Sequence, residues 1–275
     1  MKINYNLPTL GPGGGVRVYF EITNELVHRG HEVTITHNRK NVHAVWFPVK
    51  SRLIETSVLS KSLEFLLHRF IRKGLASLFL RPVSNVPLFI FYVDEVLREG
   101  IPECDINVAT NWLSTFPTYR SQKGIGFYHM LHYEVLLHSD PYIQAFVKEA
   151  YSLPLNKIAN SSWLRDTIKD RVGIEVPIVY PAIDHQVFYP REIKKEENVK
   201  RVVCFGKKLE WKGFRDALKA MKIVFRKYKN IEWVVYGSGT LDIRDPEAPY
   251  KFIKFPSSPK KAKPSKSESF FTTHG

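Results

Sequence analysis

The sequence predicts an α/β protein made of two Rossmann-like domains, and three observations lead to that prediction. Apolar strands alternate with amphipathic helical segments along most of the chain, a pattern typical of a mostly parallel sheet with helices on both faces. A strand, a glycine-containing loop, a helix and a second strand follow one another twice, from residues 2 and 201, so each copy opens its own domain. The chain of 275 residues also exceeds the usual size of one domain.

The first domain opens with a β-α-β unit. Strand Lys2–Leu7 leads into the glycine turn 11–15, and apolar residues then recur at helical spacing from Val16 to Val27. Gly30 stands where a helix C-cap belongs, and His31–Thr36 is the second predicted strand. A glycine loop between a strand and a helix is the usual opening of a Rossmann-like domain.

Three further short strands complete the first domain, which we define as residues 1–190. They are predicted at Asp105–Asn111, Gly124–Leu131 and Lys157–Ser161, with helical segments between them and after the last. The charged stretch 191–200 has no apolar periodicity and is therefore predicted to be a linker.

The second domain, residues 201–275, repeats the opening of the first. A strand at Arg201–Gly206 and a lysine-rich loop precede a helix at Phe214–Lys227 and a strand at Ile231–Gly239. The periodicity then fades, and the tail 255–275 is rich in Ser, Pro and Lys, a composition typical of disorder.

The net charge of the chain indicates which classes of partner are expected. The formal charge of +14, from 41 Lys and Arg against 27 Asp and Glu, favours nucleic acid, anionic lipid or a nucleoside diphosphate, unless it is only a solvated basic surface. The sequence has no zinc-finger or RNA-recognition signature and no clear basic recognition helix. A nucleic-acid partner is therefore not expected, and it stays the lowest-ranked alternative.

Cysteine content and hydropathy indicate the compartment. Cys104 and Cys204 each lie in an apolar stretch, which predicts two buried thiols, no disulfide framework and a reducing environment. The longest apolar run, Val86–Val93, is far shorter than the ~20 residues of a spanning helix, and the N-terminus lacks the apolar core of a signal peptide. A cytoplasmic protein is expected.

One segment has two interpretations. Residues Ser60–Arg81 place leucines and other apolar side chains at helical spacing, with basic side chains elsewhere around the helix. Such a helix lies on an anionic membrane in some proteins, which would make this a peripheral contact on the inner face. In others it packs its apolar side against the sheet. Both interpretations stay open at this stage.

The first glycine loop departs from the dinucleotide-binding pattern. Counting G-x-G-x-x-G from Gly11 reaches Val16 instead of the third glycine, and no acidic residue closes the second strand. Gly13, Gly14 and Gly15 nevertheless allow a ligand or a facing domain to approach the main-chain amides closely.

The second loop is the more specific signal. Gly206, Lys207, Lys212 and Gly213 lie between a strand and a helix, where backbone N–H groups and the helix N-terminus favour an anion. Two ammonium groups five residues apart would suit a diphosphate. The alternative is a solvated charged loop.

Five segments together resemble a known family. They are "GPGGGVRVYFEITNELVHRGHEVTI", "ANSSWLRDTI", "VYPAIDHQVF", "FGKKLEWKGFRDALKAM" and "VVYGSG". In order and spacing they resemble retaining glycosyltransferases of family 4, which have the GT-B fold, and the resemblance covers nearly the whole chain. It implies two Rossmann-like domains facing a cleft, the first receiving the acceptor and the second binding the donor.

The resemblance also implies a reaction. A hexose would pass with retention from a nucleoside diphosphate sugar to a glycan or lipid-linked acceptor, with no metal or other cofactor. Gly13 to Gly15 match the loop that approaches the donor phosphates and the acceptor. Gly206, Lys207, Lys212 and Gly213 would bind the donor diphosphate and neutralise the charge that grows as the nucleotide leaves. Lys207 replaces the family's usual arginine, which keeps the charge but loses the bidentate fork.

Further matches lie at the end of the first domain. Residues 160–162 match the segment before its last helix, and Asp184 and Phe188 match the element leading to the linker, in which Ala182 replaces a glycine. The segment "YHMLHYE" falls where the family ends a strand with a histidine at the floor of the cleft.

The resemblance makes His132 the first candidate catalytic residue and His129 the second. The alternative is a histidine at a strand end whose polar atoms bond only to backbone. Glu134 and His138 complete a loose cluster with these histidines, but without cysteine ligands a zinc site is not expected.

One family motif is absent from the sequence. The family carries two glutamates with seven residues between them late in the second domain, whereas Phe255 stands eight positions after Glu247. The segment from Tyr250 onward resembles the strand and loop that directly precede this motif. The second domain is therefore expected to be incomplete, and transfer activity weak or absent. A non-catalytic, nucleotide-binding remnant is the alternative.

Overall fold

The computed structural model of the protein describes residues 1–38, 46–56, 86–185, 188–190, 199–207, 209, 212–237 and 241–254. The chain divides into two compact units, Met1–Ala182 and Ile183–Gly275, which we call unit 1 and unit 2. The division falls eight residues before the end of the first domain as defined from the sequence. Most of the predicted linker, the segment Ser60–Arg81 and the tail 255–275 lie outside the described residues.

The described part of unit 1 forms a six-stranded parallel sheet. The strands are β1 (Lys2–Asn6), β2 (Glu32–Asn38), β3 (Arg52–Thr56), β4 (Ile106–Ala109), β5 (Ile125–Met130) and β6 (Asn156–Ala159). The helices are α1 (Gly14–His28), α2 (Val86–Gly100), α3 (Trp112–Ser121), α4 (Pro141–Ser152) and α5 (Ser162–Val172), with a 3-10 turn at Glu134–Leu137. The strand order β3-β2-β1-β4-β5-β6 is that of the Rossmann fold, and it reverses between β1 and β4. Ligands of such sheets bind outside the carboxyl ends of the strands at this reversal.

Side chains that alternate along the strands belong to two hydrophobic cores, one on each face of the sheet. Tyr19 and Phe20 of α1 pack on one face with the apolar side chains of β1 and β2, while α3, α4 and α5 pack on the other. Within β5, Tyr128 and Met130 belong to the second core, whereas Phe127 packs toward the first. Successive side chains of a strand point to opposite faces, so a residue's parity in β5 decides its surroundings.

A buried polar seam crosses the α3 face of the sheet. The Asn4 and Asn6 amides both donate to the Oδ1 atom of Asn107, at 3.0 and 2.8 Å, and Asn6 also donates to the Thr118 hydroxyl at 2.8 Å. Thr34 and Thr36 of β2 donate to Asn4 Oδ1. Because all three asparagine side chains are fully buried, their amides depend on these partners, and the bonds fix the register of β2, β1 and β4.

A buried ion pair joins α2 to α3, and breaking it is expected to destabilise unit 1. Asp94 is 2% exposed and its Oδ2 lies 2.5 Å from Nη1 of Arg120, which is 52% exposed. Burial raises the pKa of Asp94, while Arg120 opposes that shift. Removing one partner of a buried pair costs about 3–5 kcal/mol, and the half-exposed arginine lowers our expectation for Arg120→Ala to about 2 kcal/mol. Urea unfolding measures the change.

Arg165→Ala is the matched control for this measurement. Arg165 pairs with Asp166 on the surface of α5, where an ion pair contributes at most about 0.5 kcal/mol. If Arg120→Ala and Arg165→Ala lower the free energy of unfolding equally, the Asp94–Arg120 pair contributes no more to stability than a surface ion pair.

The described part of unit 2 is a smaller parallel sheet. Its strands β7 (Lys200–Phe205), β8 (Ile231–Gly237) and β9 (Lys251–Lys254) lie in that order, with helix α6 (Phe214–Lys227) between β7 and β8. Phe214, Trp233 and Tyr250 form an aromatic core, and the Trp233 indole N–H donates to Sγ of Cys204 at 3.3 Å.

The strands predicted from the sequence are all observed, with ends shifted by at most two residues. Strand β3 was not predicted, because it is a half-exposed edge strand whose mixed side chains show no clear alternation. Cys104 and Cys204 are both free thiols, but they are half-buried instead of buried. No helix in the described ranges is long and apolar enough to cross a membrane.

Candidate functional site

The candidate residues of unit 1, with the exception of His129, lie at the carboxyl edge of its sheet. The glycine loop follows β1, Asn111 caps α3 after β4, and the segment 131–138 follows β5. The segment 160–161 follows β6. These connections share one edge because the strands are parallel, and it is the edge where Rossmann-like sheets bind ligands.

The glycine loop ends directly at helix α1. Gly13 is the N-cap and supplies no side-chain cap, so the first turn of α1 presents main-chain N–H groups. A Cβ on Gly15 would lie 3.3 Å from Cδ1 of Leu131, which shows how closely this loop approaches the segment after β5. The Trp46 indole N–H donates to the Leu10 carbonyl at 3.0 Å and supports the loop. No sequence signal indicated this role for Trp46.

His132 lies at this edge, next to the glycine loop through its neighbour Leu131. Its ring contacts Trp163 edge-on, with ring centroids 6.2 Å apart, and its Nδ1 lies 3.2 Å from the Tyr133 carbonyl oxygen. Asn160, also matched by resemblance, donates its amide to the Leu131 carbonyl at 3.1 Å. The structure thus brings together the glycine loop, His132 and the segment after β6.

His129 is not part of this group. It lies inside β5, is 5% exposed and packs edge-on against Tyr19 with ring centroids 5.4 Å apart. It lines an apolar cavity of about 220 Å³ on the α1 face, and its Nε2 has no hydrogen-bond partner among the described residues. Burial lowers the pKa of His129 to about 4, so the ring is neutral at pH 7.

Glu134 lies two residues after His132 and is half-buried. Its Oε2 accepts from the N–H of Trp112, the first residue of α3, at 2.7 Å and from the Tyr128 hydroxyl. Burial raises the pKa of Glu134 to about 7, while the hydrogen bonds from Tyr128 and Trp112 act in the opposite direction. The sequence singled out Glu134 only as a member of a loose His/Glu cluster.

That cluster does not converge on a metal position. His129 faces α1, and the His138 ring instead packs edge-on against Trp112, with centroids 5.6 Å apart. Across the described residues, no three His, Cys, Asp or Glu side chains are placed to hold a metal ion.

The candidate residues of unit 2 lie in the turn from β7 to α6. The Gly206 N–H donates to the Tyr236 carbonyl at 2.8 Å, and a Cβ on Gly206 would lie 2.6 Å from Cδ2 of Leu241. Lys207 and Lys212 are exposed. Gly213 is the N-cap of α6, with φ of 68° and no side-chain cap. Lys207 thus lies just after the carboxyl end of β7, and Lys212 directly precedes the N-cap of α6, a helix N-terminus without a side-chain cap.

The other matched residues have local structural roles. The Ser161 hydroxyl caps α5 by accepting from the Leu164 N–H at 3.3 Å, and Ser162 begins the helix. The Asp184 carbonyl accepts from the Phe188 N–H at 2.8 Å.

The two parallel α/β units, each with a glycine loop at the carboxyl edge of its sheet, have the GT-B type of fold, as the sequence predicted. A structure of a mutant TarM from S. aureus, in complex with fondaparinux, alpha-GlcNAc-glycerol and UDP, is similar with a TM-score of 0.59 at 9% identity. The match covers 93% of this chain and 77% of that one. WaaG, a glycosyltransferase involved in lipopolysaccharide biosynthesis, is similar with a TM-score of 0.58 at 15% identity, covering 93% and 70% of the two chains.

Residues 12–187 match the family model Glycosyltransferase Family 4, and the chain therefore belongs to that family. This confirms the resemblance found in the sequence. A curated relative, the O-antigen biosynthesis protein RfbC of Myxococcus xanthus, is 29% identical over 123 residues, which is 44% of this chain. The chain spans about a tenth of that relative's length, since the matched part is 10% of it.

Proposed function

We propose that the protein is a glycosyltransferase of glycan biosynthesis that moves a hexose, with retention, from a nucleoside diphosphate sugar to a glycan or lipid-linked acceptor. The observation that carries this proposal is the presence of Lys207 and Lys212 in the turn between β7 and the uncapped N-terminus of α6, in a chain of Glycosyltransferase Family 4. The bound UDP of TarM and the lipopolysaccharide role of WaaG support the choice of donor and acceptor classes.

Unit 2 would bind the donor through its diphosphate. Main-chain N–H groups of the first turn of α6 point toward the turn that holds Lys207 and Lys212, and a helix N-terminus favours negative charge. The ammonium groups would neutralise the charge that develops on the diphosphate as the bond to the sugar breaks. Their effect is largest in the transition state, where that charge is greatest, so they assist departure as well as binding.

Unit 1 would present the acceptor hydroxyl. The glycine loop and the segment after β5 lie in contact at the carboxyl edge of the sheet, and His132 borders this region with Trp163 beside it. In the proposed reaction the acceptor attacks from the face that the diphosphate leaves, and His132 is the first candidate catalytic residue. We assign no general base, no metal and no other cofactor.

The lysines are expected to determine nucleotide affinity. Lys212→Ala and Lys207→Ala each remove one charge-assisted contact to phosphate, so each is expected to raise the Kd for UDP or GDP at least about tenfold, which corresponds to about 1.4 kcal/mol. Titration calorimetry of the chain and its variants measures this change. A parallel assay of donor hydrolysis shows whether binding leads to chemistry.

Lys229→Ala is the control, because Lys229 precedes β8 at the opposite edge of the same sheet. It is expected to bind nucleotide as the unchanged chain does. If neither UDP nor GDP binds to the unchanged chain, the proposal fails. Binding that depends on Lys212 without any hydrolysis or transfer would instead identify a non-catalytic nucleotide-binding protein.

We also propose a cytoplasmic location and a peripheral contact with the membrane. A cytoplasmic enzyme with a lipid-linked acceptor would benefit from a peripheral membrane contact, and the basic amphipathic pattern of Ser60–Arg81 suits an anionic surface. Flotation with anionic and neutral vesicles separates this interpretation from a helix that packs within the protein.

A further inference from the structure

The main chain around His132 is held by three hydrogen bonds from side chains. The Asn160 amide donates to the carbonyl of Leu131 at 3.1 Å. The Tyr151 hydroxyl donates to the carbonyl of His132 at 3.3 Å and accepts from the N–H of Glu134 at 2.9 Å. These bonds connect residues 131–134, which follow β5, to Asn160 directly after β6 and to Tyr151 of α4.

The carboxyl group of Glu134 connects the same segment to α3 and β5. It accepts from the first N–H of α3, at Trp112, and from the hydroxyl of Tyr128 in β5. The ring of Tyr128 packs against that of Tyr151, with centroids 5.7 Å apart. The carboxyl, the two tyrosines and the helix N-terminus therefore form one connected network around the main chain that carries His132.

We propose that Glu134 is a positioning residue that fixes the orientation of His132 at the carboxyl edge of the unit 1 sheet. The proposal rests on the proposed function, because it concerns the orientation of the candidate catalytic residue His132. The Glu134 carboxyl group bonds to the N–H of Trp112 and the hydroxyl of Tyr128. It acts through the main chain and through its contacts with Trp112 and Tyr128.

The surroundings of Glu134 make this network sensitive to ionisation. The pKa of Glu134 is raised by burial to about 7, and no Lys or Arg of the described residues opposes that rise. The titratable groups around it are Tyr19, Tyr128 and Tyr151, each with a raised pKa to which Glu134 contributes, and His138, whose ring contacts Trp112. An ionised carboxylate accepts both hydrogen bonds, whereas a protonated carboxyl group also carries an O–H donor that needs an acceptor.

The experiment compares Glu134→Gln and Glu134→Ala with the unchanged chain. The glutamine keeps an acceptor for both hydrogen bonds but does not ionise, and the alanine removes the anchor. Backbone ¹⁵N–¹H spectra of residues 131–134 are recorded over pH, together with order parameters, and kcat and KM for donor hydrolysis are measured. Glu149→Gln, an exposed carboxylate on α4, is the matched control.

We expect the amide signals of residues 131–134 to shift with a midpoint near pH 7 in the unchanged chain and to lose that step in Glu134→Gln. In Glu134→Ala the order parameters of these amides are expected to fall from about 0.85 to below about 0.6. The kcat is expected to fall at least about tenfold while KM for the donor changes less than about threefold, because the donor is bound by unit 2. Glu134→Gln is expected to retain most of the kcat.

Unchanged order parameters in Glu134→Ala would overturn the proposal, and so would an unchanged kcat in a variant whose segment has become mobile. If Glu134→Ala does not fold, Tyr151→Phe replaces it, since it removes the two hydroxyl bonds and keeps the ring packing. The spectra need neither donor nor turnover. A chain that fails to bind nucleotide therefore contradicts the proposed function without deciding the role of Glu134.

Discussion

Replacing Gly237 by alanine is expected to destabilise unit 2 by about 3 kcal/mol, because the added methyl group meets main chain instead of a mobile side chain. Gly237 ends β8, and a Cβ built on it would clash with the carbonyl oxygen of Gly206. The Gly206 N–H also donates to the Tyr236 carbonyl across the same strand pair. The two strand ends must therefore separate, and the turn that carries Lys207 moves with them.

Hydrogen exchange of peptides from α6 and β8 measures this effect in unit 2 alone. Gly213→Ala is the control within the same unit. A Cβ on Gly213 has no atom within 4 Å, so only the positive φ of 68° opposes the alanine, at a cost of about 1 kcal/mol. Equal losses for the two variants would contradict the close approach of the strand ends. If the proposed function holds, Gly237→Ala is also expected to weaken nucleotide binding.

The stability difference between the unchanged chain and Glu134→Gln is expected to fall by about 3 kcal/mol as the pH rises from 4.5 to 7. The pKa of Glu134 is about 7 in the folded protein, above its ordinary value of 4.5. A raised pKa means that the folded state binds the proton more tightly, so this contribution to stability is complete below pH 4.5 and is lost as the pH passes through 7. Each pKa unit corresponds to about 1.4 kcal/mol. Urea unfolding at a series of pH values measures the difference.

The titration of His129 changes the free energy of unfolding with pH in the opposite direction. The unchanged chain must therefore be compared with Glu134→Gln at each pH. Its pKa falls from 6.5 to about 4, so its contribution is complete above pH 6.5 and is lost as the pH falls through 4. In the unchanged chain the two groups nearly cancel between pH 4.5 and 6.5. Glu134→Gln should therefore reveal a stability that rises with pH, and a pH-independent difference would contradict the buried state of Glu134.

The sequence predicted the architecture well because most residues of β1, β2 and β8 are buried and apolar or uncharged, whereas β7, the first strand of the second repeat, is mostly exposed. Continuous apolar strands, such as those around Val33 and Val235, need helices on their faces, and the alternation of elements then implies a parallel sheet. Strand β3 escaped prediction because only one of its ends is buried. Strand β9 follows a stretch without periodicity, and only the family resemblance indicated it.

Only the position of the candidate site in the fold was predicted in part. Charge and glycine are local signals that placed the lysine loop at a strand-to-helix turn, and the structure has it between β7 and α6. Its binding of a diphosphate stays a prediction. The network of Glu134 was not located, since its partners Trp112, Tyr128 and Tyr151 come from three different elements and meet only in the folded protein. The position of each histidine relative to β5 does distinguish the two. His129 lies within the strand and shares a face with Phe127, so its side chain is buried against that face of the sheet. His132 follows the carboxyl end of the strand.

The polar seam has a consequence for the order of events during synthesis. Asn6 finds its partner in Asn107, 101 residues later in the chain, and the inner edge of β1 has no neighbour until β4 has been made. Through that interval a nascent chain holding β1 and β2 carries an open strand edge, whose main-chain N–H and C=O groups pair with β4 only later and which pairs readily with other chains. The hydrogen bonds of Asn4 and Asn6 that fix the register against β4 can therefore form only after Asn107 has been synthesised.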